Sequence, residues 1–60
     1  MDKRIYHAHV EAEEGYYEVT FYNKRDIPVS SLNLTGEQTV KEKLNELKDK
    51  NDKFTSNWSF

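Results

Sequence analysis

Sixty residues, a formal charge of −2 and no cysteine describe one small domain over residues 1–60, without disulfide staples or thiolate metal sites. The charge argues against a phosphate-gripping surface, which needs clustered positive side chains, so no nucleic-acid partner is expected. A chain this short buries only about 60% of its unfolded surface. Association is the usual remedy, and a homodimer or a complex with another protein is expected.

The first element is a hairpin. The runs Ile5-Tyr6-His7-Ala8-His9-Val10-Glu11-Ala12 and Tyr16-Tyr17-Glu18-Val19-Thr20-Phe21-Tyr22 both alternate, and Glu13-Glu14-Gly15 lies between them. With Glu14-Gly15 as a two-residue turn, Ala12 faces Tyr17, Val10 faces Val19 and Ala8 faces Phe21. The opposite face then pairs Glu11 with Glu18, His9 with Thr20 and His7 with Tyr22. A one-residue slip would exchange the two faces, so the register is specified by the pattern.

Asn23-Lys24-Arg25-Asp26 reads as a polar turn, and Val29 to Asn33 as a third strand, with Pro28 at its start where a missing donor is tolerated. Thr35-Gly36-Glu37-Gln38 has the spacing of a capping box between Thr35 and Gln38. The helix it opens should run from about Gly36 to Lys50, with Val40, Leu44 and Leu47 on one narrow apolar stripe. Glu37–Lys41 and Glu46–Lys50 are correctly oriented i,i+4 pairs. In the tail, Phe54, Ser56, Trp58 and Phe60 alternate with Lys53, Thr55, Asn57 and Ser59, which predicts a fourth strand.

The expected fold is α+β, in the order β-β-β-α-β: a small antiparallel sheet with one helix packed on one face. The expected core is Tyr6, Ala8, Val10, Tyr17, Val19, Phe21, Val29 or Leu32, Leu34, Val40, Leu44, Leu47 and part of the tail. One narrow helix cannot cover both faces of a sheet. The far face is then expected to show Ile5, His7, His9, Tyr16 and Tyr22 among Glu11, Glu18 and Thr20.

Catalytic parts are missing. There is no cysteine, no serine in a nucleophile-elbow setting, and no promise of a water-excluding pocket for a Glu11–Glu18 acid–base pair. The chain is therefore expected to be non-enzymatic and to need no cofactor. His9, Glu11 and Glu18 form the one constellation that a zinc or manganese ion could use. A small metal- or ligand-binding domain is thus the alternative to a protein-binding one. In this arrangement His7 would point along the strand, away from that centre. Aromatic residues dominate interface hot spots, so the expected protein interface is Ile5, Tyr16, Tyr22, Trp58 and Phe60. No apolar run approaches the roughly 20 residues that cross a bilayer, and Met1-Asp2-Lys3-Arg4 does not lead into the apolar stretch of a signal peptide. A cytoplasmic location without a membrane partner is expected.

The string YHAHVEAEEGYYEVTF, a polar bend, a short third strand and TGEQTVKEKLNELKDK resemble the small antitoxin domains of the HicB type over residues 5–50. The likeness rests on Gly15-Tyr16-Tyr17-Glu18-Val19-Thr20-Phe21 after the turn, and on Gly36 ahead of a helix with Glu42-Lys43-Leu44. Tyr22-Asn23-Lys24 stands where the family has Phe-Pro-Asp, and Lys43 where its helix commonly has alanine. The resemblance thus implies this domain without the DNA-binding extension that follows it in full-length antitoxins. The resemblance implies the β-β-β-α-β order and a protein-binding, oligomerising module that sequesters a small toxin. A compact inhibitor from a phage or mobile element, occupying a basic surface, is a second version of the same binding class.

Overall fold

The computed structural model describes residues 4–59. The chain forms β1 (His7–Glu13), β2 (Tyr16–Tyr22), β3 (Pro28–Leu34), α1 (Glu37–Lys50) and β4 (Thr55–Ser59). One four-stranded sheet has the spatial order β3-β2-β1-β4, and the helix lies on one of its faces. No helix among the described residues is long and apolar enough to cross a membrane.

The hairpin has the register that its alternation demands, with Val10 opposite Val19 and Glu11 opposite Glu18. Gly15 sits at φ 87°, a left-handed turn conformation that glycine adopts without a Cβ clash. The β2–β3 turn is tied by Asn23, whose Oδ1 accepts from the backbone N–H of Arg25 (2.8 Å) and Ile27 (3.2 Å). Asp26 takes φ 62° there, which Asp tolerates better than most residues. Strand β3 pairs antiparallel with β2 and slips register between Phe21 and Tyr22, so Val29 is the extra residue of a bulge. As a result Leu32, opposite Val19, packs against the core, and Val29 stays 45% exposed.

The sheet is mixed where an antiparallel one was expected. β4 runs parallel to β1, with His7 beside Thr55 and Val10 beside Trp58. The reason lies in chain direction. β1 and β3 point the same way, the helix carries the chain back, and the strand after it must run with β1. Strict antiparallel alternation holds only for strands joined by turns.

The helix start also departs from expectation. Gly36, not Thr35, is the N-cap, at φ 86°, and no side-chain capping bond forms. The left-handed glycine moves Thr35 one residue outside the cap, so the Thr35–Gln38 box cannot close. The expected ion pairs do form, Glu37–Lys41 at 3.6 Å and Glu46–Lys50 at 3.2 Å.

The buried core is Ala8, Val10, Val19, Phe21, Val40, Leu44 and Phe54, with Tyr17, Leu32, Leu34, Leu47, Trp58 and Ile5 packed around it. Tyr6 is only half-buried and stands outside that cluster. Ile5 corrects an expectation. It precedes the regular part of β1, and its side chain turns to the helix side instead of continuing the alternation onto the far face.

Asn51 is the buried polar residue among the described residues. Its N–H caps the helix on Leu47 O (3.0 Å), and its C=O accepts from Phe54 N (2.9 Å). Its Nδ2 donates to Ile5 O (3.1 Å), and its Oδ1 accepts from Lys53 N (3.1 Å). Nearby, Lys48 Nζ donates to Asp52 O (2.9 Å) at the helix's negative end.

Two substitutions test this account. Leu44→Ala is expected to cost about 2–5 kcal/mol in a denaturant melt; a loss under 1 kcal/mol would put the wrong helix face on the sheet. Asn51→Ala leaves Ile5 O and Lys53 N without their partner and is expected to cost about 1–3 kcal/mol. Its amide exchange should rise first at Lys53 and Phe54.

Candidate functional site

The helix covers one face of the sheet. The other face carries alternate residues of every strand: His7, His9, Glu11 and Glu13 from β1, Tyr16, Glu18, Thr20 and Tyr22 from β2, Ser31 and Asn33 from β3, and Thr55 and Asn57 from β4. None of the four strands contains a lysine or arginine. Apart from the histidines, of which His9 lies 3.2 Å from Glu11, the carboxylates of this face therefore have no basic side chain beside them on the strands.

A polar ladder climbs the β1–β4 seam. Thr55 Oγ1 lies 2.8 Å from His7 Nδ1. Asn57 Oδ1 lies 3.1 Å from His7 Nε2 and 3.0 Å from His9 Nδ1. Glu11 Oε1 lies 3.2 Å from His9 Nε2. Donor and acceptor chemistry assigns the protons. With Asn57 Oδ1 as shared acceptor, neutral His7 donates from Nε2 and takes the Thr55 hydroxyl proton on Nδ1. His9 faces an acceptor at each nitrogen, so only the imidazolium form donates to Asn57 and Glu11 together.

Beside the ladder, the rings of His7 and Tyr22 meet at 5.9 Å and 47°. With His9, Glu11 and Asp26 they line a shallow concavity of about 400 Å³. Its wall combines two aromatic surfaces with two carboxylates, a lining that favours cationic groups over anionic ones.

The sequence-based site residues are divided by the fold. Tyr16 and Tyr22 stand on the uncovered face, Tyr16 36% exposed and Tyr22 half-buried against His7. Ile5 and Trp58 stand on the helix side, where Trp58 meets Tyr17 edge-on at 6.1 Å and 75°. Phe60 lies outside the described residues. His9, Glu11 and Glu18 share a face, but among the described residues no three His, Asp or Glu side chains converge as a metal ion requires. Both nitrogens of His9 are already engaged, and His7 joins its network through Asn57.

Thr55, Asn57 and Asp26 were not foreseen as members. The alternation of the tail did put Thr55 and Asn57 on one face, and the parallel pairing with β1 is what brings that face to the histidines.

Asn57→Ala is expected to shift the ring nitrogen resonances of His7 and His9 together and to cost about 0.5–1.5 kcal/mol. A response from one histidine alone would show that the acceptor is not shared. Compared with known protein families, with characterised proteins and with solved structures, the chain matches none.

Proposed function

We propose that this chain is a non-enzymatic protein-binding module that takes a basic protein surface onto its uncovered sheet face. The observation that carries the reading is Glu11 directly opposite Glu18 on a sheet whose strands hold no lysine or arginine. Like charges facing each other across a strand pair destabilise the free protein. His9 engages the Glu11 side of the pair at 3.2 Å, and a domain with little stability to spare gains little from the remaining repulsion unless something cationic covers it. The tyrosines of the same face add rigid contact area at low entropic cost.

The HicB-type likeness supports the same class of function, because the β-β-β-α-β order it implies is the order found. In that version the basic partner is a small toxin, held in the cytoplasm. A metal- or ligand-binding role is less well supported, since His9 has spent both nitrogens on protein acceptors.

The reading makes stability and binding move in opposite directions. Glu18→Lys turns a repulsive pair into an attractive one and is expected to stabilise the free protein by about 0.2–1 kcal/mol. The same variant, used as bait in host extract, is expected to lose a salt-sensitive partner that the unaltered protein retains. A partner retained equally by both, or one of acidic character, would overturn the proposal.

A further inference from the structure

Strand β3 is an edge of the sheet, and an edge strand presents a row of unpaired backbone donors and acceptors. Proteins usually guard such edges with charge. Here Pro28-Val29-Ser30-Ser31-Leu32-Asn33-Leu34 contains no charged residue. Pro28 and the bulge at Val29 protect only the first two positions, leaving Ser30 to Leu34 as a regular, uncovered ladder among the described residues. Two of the most exposed large apolar side chains in the domain stand at this edge, Ile27 at 51% and Val29 at 45%. A mostly apolar cleft of about 180 Å³ opens between β3 and α1, with Ser30 leaving a gap among Ile5, Phe21, Leu32 and Leu47, and Lys43 at its wall.

We infer that β3 pairs antiparallel with β3 of a second copy of this chain about a two-fold axis at Ser31, making one continuous eight-stranded sheet. Three features favour a second copy over another occupant. The first is shape. The axis sets Leu32 of one copy beside Ser30 of the other on the helix side, so a large residue meets the gap left by a small one, twice. The second is charge. Pairing in this sense brings the Lys24-Arg25 turn at the start of one β3 alongside Glu37, just past the end of the other. The third is that the acidic strands β1 and β2 stay away from the contact, so a chain of charge −2 meets its own copy along a strand that itself carries no charge.

This contact uses the sheet edge, whereas the proposed partner surface is the sheet face. The two stand or fall separately. An axis perpendicular to the sheet leaves both uncovered faces on the same side, so the pair would present two acidic surfaces to a partner.

The test is a charge swap at Ser31, an exposed position that faces itself across the axis. Sedimentation equilibrium of the unaltered chain is expected to show a mass rising from one chain toward two with concentration. Ser31→Glu and Ser31→Lys alone are each expected to stay at one chain mass, with circular dichroism unchanged. Mixed in equal amounts, they are expected to regain the mass of two. A mass constant at 7.2 kDa for the unaltered protein into the millimolar range would overturn the inference. So would a dimer that survives both single substitutions, or a mixture that fails to recover one. Should either variant lose its fold, Val29→Lys replaces it, with the same loss of dimer expected.

Discussion

Asn51 is the point at which helix, tail and first strand are fastened together. Its backbone ends α1 and starts the turn toward Phe54, and its side chain reaches Ile5 forty-six residues earlier. A buried amide must satisfy each of its polar atoms, since an unsatisfied one costs more than a made bond returns. That requirement ties the three segments together at one residue. With Ile5 O held, Thr55 N reaches Tyr6 O at 3.0 Å, and β4 enters in register with β1. Phe54 is set under the helix in the same step, closing the core.

The two faces of the sheet obey different rules as a consequence. On the helix side, apolar pairs such as Val10–Val19 are dry and the alternation leaves little choice of residue. On the other side, nothing among the described residues folds back, and the residues are free to be chosen for something other than packing. His7, His9 and Asn57 use that freedom to satisfy one another. Glu11 and Glu18 do the reverse, facing each other as like charges with no lysine or arginine in the strands, and with His9 reaching the Glu11 side of the pair. Edge and face are likewise separable. The edge of β3 is neutral, while the face beside it is acidic, so homotypic and heterotypic contacts need not compete for the same residues.

Period-two and i,i+4 patterns carried most of the fold in the sequence. Hairpin register, helix extent and the Val40–Leu44 stripe are properties of neighbours a few residues apart, and those were legible. What depended on distant pairing was not. The direction of β4 follows from a helix that reverses the chain, which no local pattern of the tail records. Thr35 and Gln38 had the right spacing for a cap, but Gly36 took a left-handed conformation and displaced the first of them. Ile5 left the alternation because regular pairing begins only at His7. Of the candidate site, Glu11 opposite Glu18 followed from the hairpin alone, and the Asn57 acceptor shared by two histidines needed the parallel seam.

That seam has a consequence for the order of events as the chain folds. His7 and Thr55 lie 48 residues apart, whereas Glu13 and Tyr16 meet across a two-residue turn. Entropy of loop closure favours short-range contacts, so the hairpin should form early, β3 add to it, and β4 dock last. Until it does, β1 is itself a temporary edge, exposed to whatever other strands are nearby. Its outer row then shows Glu11 and Glu13 beside the histidines, and charge on an open edge deters foreign strands. Residues that face outward in the finished domain would thus also guard β1 during the interval in which its own partner has not arrived.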